Sequence, residues 1–65
     1  MLALLSPRER VTLAMLAEGL SSKETAAKMG ISSETVKDYS SVARRKLGAR
    51  NTVQAAAIAA RSGLI

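Results

Sequence analysis

The chain has 65 residues, with ten Lys and Arg against five Asp and Glu for a formal charge of +5, so it makes one small domain suited to a polyanion or an anionic surface. Cysteine and histidine are both absent. That removes disulfides, thiol nucleophiles, imidazole metal ligands and histidine bases together, so neither an enzyme nor a cofactor or metal site is expected.

At the start, Met1 to Leu5 shows no basic stretch ahead of an apolar one and no small-residue cleavage site. It is not read as a signal peptide, and a cytoplasmic location is expected. Ser6-Pro7-Arg8-Glu9 then opens a first helix: Ser6 is the N-cap, Pro7 occupies the first helical position where a missing N–H costs nothing, and Glu9 reaches back to the cap. This helix is expected over about 7–18, with Gly19 as its stop. Ser21-Ser22-Lys23-Glu24 is a second capping box, opening a helix over about 22–29 that ends at Gly30. Ser32 caps a third helix over about 33–47, stopped by Gly48, and Asn51-Thr52-Val53-Gln54 caps a fourth over about 52–62, closed by Gly63. The fold class is therefore all-α with four helices. A short helix, a tight glycine-containing turn and a longer helix form the pattern of a helix-turn-helix, though other helical hairpins share it.

At about 100° per residue, Val36, Ser40, Ala43 and Leu47 fall on one side of the third helix, and Glu34, Asp38, Ser41 and Arg45 fall opposite. Lys37 and Arg44 flank the polar face on one edge, and Thr35, Tyr39 and Lys46 on the other, so donors are available for phosphates on both sides of a groove. A charged stripe alone is more often a solvated helix face; its place after a tight turn favours a duplex instead. Nothing acidic follows Asp38, whereas Arg44, Arg45, Lys46, Arg50 and Arg61 do. Ser22 and Lys23 begin the second helix beside amides that attract anions, although Lys23 is as readily an ordinary surface lysine. Glu34 and Asp38 are repelled by phosphate and could only accept from bases, cytosine N4 being the natural donor. For Glu34 the alternative is a first-turn acid favoured by the helix dipole.

Leu5-Ser6-Pro7-Arg8-Glu9-Arg10, Ala17-Glu18-Gly19-Leu20-Ser21-Ser22-Lys23-Glu24, Gly30-Ile31-Ser32, Thr35-Val36-Lys37 and Arg45-Lys46-Leu47-Gly48, in that order over nearly the whole chain, resemble the LuxR-type (GerE-type) helix-turn-helix DNA-binding domain. The resemblance implies a bacterial transcriptional regulator, with the third helix in the major groove of double-stranded DNA and the fourth pairing two copies as a homodimer on a two-fold-related site. It implies that residues 1–65 are the C-terminal output domain of a larger regulator. An N-terminal receiver domain would serve two-component signalling, and a sensor of acyl-homoserine lactones would serve quorum sensing. By position it assigns Glu34, Lys37, Asp38 and Ser41 to base contacts and Lys23, Tyr39, Arg45 and Lys46 to phosphates; Ser22 and Thr35 are expected to join the phosphate set. Glu34 and Asp38 depart from the basic or amide residues common at their positions, so the family's base preferences do not carry over. Thr12 and Thr25 stand where Val or Ile is usual, and Ser40 where a larger apolar residue is. An unmade buried hydroxyl costs about 1–3 kcal/mol, so modest stability is expected.

The fourth helix carries two apolar stripes, one of Val53, Ala56, Ala57 and Ala60 and the other of Ala55, Ile58 and Ala59. One is expected to face the core and the other a second copy; the alternative is an alanine-rich helix chosen for propensity with a single buried face. The apolar run Ala55 to Ala60 is far short of the roughly 18 residues that span a membrane. Val11 and Ala14 are read as a patch for docking an N-terminal domain. A different class of function is a protein-interaction module that keeps the fold without binding DNA, for which Glu34 and Asp38 speak. A membrane-surface peptide is disfavoured, because four separately capped helices describe a globule.

Overall fold

In the computed structural model, which describes residues 5–65, four α-helices follow one another: α1 (Pro7–Ala17), α2 (Ser22–Met29), α3 (Ser33–Lys46) and α4 (Thr52–Arg61). The reading of Met1 to Leu5 falls, apart from Leu5, outside the described residues. Each helix starts where a side-chain oxygen accepts an otherwise orphaned backbone N–H. Ser6 and Ser21 form full capping boxes with Glu9 and Glu24, the carboxylate oxygens accepting from the cap N–H groups at 3.0 and 2.9 Å. Ser32 accepts from Thr35 N at 3.1 Å, and Asn51 from Gln54 N at 2.8 Å. The fourth cap departs from the box: the Gln54 amide oxygen accepts from Arg50 N at 2.6 Å, one residue before the cap. Its longer reach ties down the chain that enters α4.

All four helices also end alike. Leu20, Ile31, Ala49 and Leu64 donate their N–H groups to the carbonyls of Met15, Ala26, Arg44 and Ala59, five residues back. This closure needs a left-handed residue just before the donor, which Gly30 (φ 69°) and Gly48 (φ 67°) provide at the two connections flanking α3. Because Glu18, Leu47 and Ser62 only half continue the helical path, α1, α3 and α4 each end one residue sooner than expected.

Between α2 and α3 only Gly30, Ile31 and Ser32 intervene, so the two helices form the expected helix-turn-helix. Helix α1 packs across α3 and α4, while α2 rests chiefly on α3. The core joins Leu5, Leu13, Ala43, Leu47, Ala49, Ala55 and Ala59, with Ile58, Leu64 and Ile65 against its rim. Val36 is fully buried as well. So many alanines make a thin core.

The three hydroxyls that replace apolar groups are all buried, and they fare differently. Thr12 Oγ1 donates to the Arg8 carbonyl at 2.8 Å and lies 3.4 Å from Met29 Sδ; Ser40 Oγ donates to the Lys37 carbonyl at 2.9 Å. Both borrow an acceptor from the preceding turn of their own helix. Thr25 Oγ1 is enclosed with no hydrogen-bond partner among the described residues. The isosteric Thr25→Val change therefore removes a desolvated hydroxyl and should stabilise the domain by about 1 kcal/mol, raising Tm by about 4–8 °C. Thr12→Val deletes a bonded hydroxyl and should gain less. Thermal unfolding followed by circular dichroism checks both, and a Tm that falls in Thr25→Val contradicts this account.

Candidate nucleic-acid interface

Helix α3 has one buried side and one bare side. Val36, Ser40, Ala43 and Leu47 turn inward, whereas Glu34, Lys37, Asp38, Ser41 and Arg45 are exposed. The division follows from spacing: residues three and four apart share a face, and only one face carries side chains that fit a core. The four residues expected at base edges, Glu34, Lys37, Asp38 and Ser41, thus lie together on solvent with Arg45 beyond them.

The charges along this face are mixed. Glu34 and Asp38 stand one turn apart, a like-charged spacing that is unfavourable by a few tenths of a kcal/mol, roughly, in an isolated helix. Among the described residues neither has an ion-pair partner. Glu34 is the acid of the first turn of α3, and Arg44, Arg45 and Lys46 are the bases of its last. Both ends of the helix dipole therefore meet a favourable charge, and the basic end is the more heavily loaded.

The residues expected at phosphates are more varied. Lys23 is exposed in the first turn of α2, and Ser22 beside it is half-buried at the first helical position. Thr35 and Tyr39 are half-buried on one edge of α3, with the Thr35 and Ser32 hydroxyls 2.9 Å apart in the cap. Lys46 does not simply extend into solvent. Its Nζ lies 2.8 Å from Oε1 of Glu9, the same oxygen that accepts from Ser6 N. Burial raises the affinity of the Glu9 carboxyl for a proton, but the hydrogen bonds from Lys46 and Ser6 and the Lys46 charge outweigh it and hold its pKa below the ordinary glutamate value. Arg44, the other edge residue, is half-buried and donates from Nη1 to the Ala49 carbonyl at 3.2 Å, bracing the connection to α4. Nothing local in the sequence announces the Glu9 contact, which joins positions 37 apart. The single available hint is an acid buried in one first turn and a base ending another helix.

Of the stripe on α4, Val53, Ala57 and Ala60 are exposed and Ala56 is buried; Val53 is 81% exposed, the largest value for a bulky apolar side chain among the described residues. Ala55 and Ala59 face the core, with Ile58 half-buried beside them. The exposed stripe forms one wall of a shallow groove of about 450 Å³, and Leu16 and Ala17 of α1 form the other. Leu16 and Ala17 thus line a surface groove, because the small residues of α4 leave them incompletely covered. No helix among the described residues is long and apolar enough to cross a membrane, and none of their His, Cys, Asp and Glu side chains cluster in threes as a metal site requires.

Residues 3–59 match the model of the bacterial regulatory proteins of the luxR family. Over 55 residues the chain is 42% identical to the DNA-binding transcriptional activator DevR/DosR of Mycobacterium tuberculosis, a match covering 85% of this chain and 25% of that protein. It is 45% identical over 51 residues to the probable HTH-type transcriptional regulator GfsR of Streptomyces halstedii, covering 78% of this chain and 21% of that one. It is 44% identical over 61 residues to the HTH-type transcriptional activator RamA of Corynebacterium glutamicum, covering 94% of this chain and 22% of that one. The chain thus spans about a quarter or less of the length of these relatives.

The Glu9 and Glu24 carboxyls are both held below their ordinary pKa, Glu24 chiefly by the hydrogen bond from the Ser21 N–H. Each therefore takes up its proton more readily in the unfolded chain. The stability they contribute is complete at neutral pH and is lost as pH falls through their folded values. Glu9→Gln keeps the cap acceptor but removes the charge facing Lys46, and should cost about 1–2 kcal/mol at pH near 7. Melting curves taken from about pH 7 down to about pH 3 should show that deficit shrinking as wild-type Glu9 protonates. A deficit independent of pH would mean that the ion pair contributes nothing.

Proposed function

This chain belongs to the luxR family of bacterial regulatory proteins, and on that premise we propose that it binds double-stranded DNA sequence-specifically to regulate transcription, inserting α3 into the major groove. The observation that carries the reading is the uncovered polar face of α3, set on a buried stripe and reached through a connection of three residues from α2. Glu34, Lys37, Asp38 and Ser41 are the side chains that would meet base edges. Lysine at the centre of such a helix suits guanine O6 and N7, and the two carboxylates can only accept, as from cytosine N4. Ser22, Lys23, Thr35, Tyr39, Arg45 and Lys46 would hold phosphates on either side, with the ammonium of Lys46 shared with Glu9. Ser22 and Lys23 add the N-terminal amides of α2 to that set.

The stripe of Val53, Ala56, Ala57 and Ala60 is the surface on which a second copy would pair, giving a homodimer on a two-fold-related site. Small side chains favour it by allowing close helix approach, and the groove beside Leu16 offers Val53 of the partner copy an apolar seat. The chain would serve without a cofactor and without catalysis, in the cytoplasm and on the nucleoid, as the output domain of a longer regulator. Its relatives are about four times as long, which leaves room for a receiver or sensor domain that sets its activity. The acidic pair Glu34 and Asp38 favours one second reading, a protein-interaction module on the same scaffold, in which binding would lack the steep fall with salt that phosphate neutralisation imposes.

Selection of bound duplexes from a random pool at two salt concentrations separates these readings. A defined motif is expected, with affinity falling steeply as salt rises, and no enriched sequence at either salt would refute DNA binding. On the selected site, Arg45→Ala should weaken binding to all sequences alike and flatten the salt slope by about one phosphate. Asp38→Ala should instead relax preference at particular base pairs, each contact being worth about 1–3 kcal/mol of discrimination. An unchanged preference profile would remove Asp38 from the base-reading set.

Pairing is tested by sedimentation equilibrium with and without a two-half-site duplex. Val53→Asp should abolish cooperative loading of two copies while leaving binding to a single half-site intact. If wild-type copies load independently, α4 is not a pairing surface.

A further inference from the structure

A second cleft lies away from both α3 and α4. Arg8, Val11 and Met15 of α1 and Lys28 and Met29 of α2 line a shallow, open depression of about 280 Å³. Val11 is 42% exposed there, one of two large apolar residues exposed among the described residues. Arg8 and Met15 lie two turns apart on one side of α1, with Val11 between them, so the apolar floor runs along the helix with a cation at its end. Lys28 supplies a second cation from α2, and among the described residues no carboxylate lines the cleft. Met29 is steadied by the contact of its sulfur with Thr12 Oγ1, while thioethers in general adapt their shape to what they meet.

We propose that this cleft docks an acidic amphipathic helical segment of another protein, with apolar side chains seated on Val11, Met15 and Met29 and carboxylates set against Arg8 and Lys28. Charge complementarity selects that occupant. The opening is smaller than the roughly 300–1,000 Å³ of small-molecule pockets, yet it accommodates the one or two anchors with which a helix enters a groove. A nucleic acid would leave the Val and Met floor unused, and a lipid surface calls for protruding apolar groups where this face is concave. None of the five lining residues belongs to the sets assigned above to DNA or to a second copy. Occupancy is therefore compatible with both, and a failure of DNA binding leaves this inference standing.

The test is an NMR titration of the isotope-labelled chain, without DNA, against a synthetic helical peptide that carries leucines one turn apart flanked by glutamates. A peptide with lysines for the glutamates, phosphatidylglycerol vesicles and a short duplex serve as comparison arms. Shifts centred on residues 8–15 and 28–29 are expected with the acidic peptide, and binding weaker by at least about fivefold with its lysine counterpart. Val11→Glu should weaken the acidic peptide about tenfold or more. Arg8→Glu, which puts an acid in the first turn of α1 where the dipole welcomes it, should do likewise without harming the fold. Shifts centred instead on α3 or on the α4 stripe, equal binding of the two peptides, stronger perturbation of the same residues by vesicles or duplex, or no loss in a folded Arg8→Glu protein would each overturn the proposal.

Discussion

The ammonium of Lys46 and the carboxylate of Glu9 meet at 2.8 Å, and that contact fastens the last turn of α3 to the first turn of α1. The polar flank of α3 is presented only as firmly as the helix behind it is held. Packing alone gives a weak hold here, since the facing core is mostly alanine and small side chains offer few atoms for dispersion. Polar ties at both ends supplement it. Ser32 fixes the start of α3, Lys46 its end, and Arg44 braces the chain just beyond by donating to the Ala49 carbonyl. Two of the three basic residues at the end of α3 thus have intramolecular work, which leaves Arg45 as the outward-facing cation of that turn.

Much of this architecture is legible in the sequence because its signals are local. Serines, an asparagine and glycines at fixed offsets delimit the helices to within a residue, since a cap and a left-handed closure act over four to six positions. The inward stripe Val36, Ser40, Ala43 and Leu47 is likewise plain from spacing. What escapes a linear reading is tertiary. The Lys46 contact to Glu9 and the half-buried state of Tyr39 and Arg44 depend on how neighbouring helices cross, which no short window encodes. The same holds for Leu16 and Ala17, whose apolar character suggests the interior but whose cover depends on the size of residues on α4. The three hydroxyls divide for a similar reason: Thr12 and Ser40 find a carbonyl in the preceding turn, and Thr25 does not.

Surface chemistry divides the molecule into faces with separate characters. The bare flank of α3 mixes acids with bases, the stripe of α4 is small and uncharged, and the cleft between α1 and α2 is apolar with a cationic rim. Their lining residues do not overlap. A chain of 65 residues can therefore expose three chemically distinct surfaces around one core without any side chain serving two of them.

The short hydrogen-bonded rings at both ends of every helix also bear on how the chain reaches its fold. Each ring closes over a handful of residues, so little loop entropy is surrendered before a bond is gained. The tie across 37 positions can form once those local units exist. A topology weighted towards neighbours in this way belongs with the helical domains that assemble within about microseconds to milliseconds. On that timescale a newly synthesised copy exposes the residues of its core only briefly before they are covered.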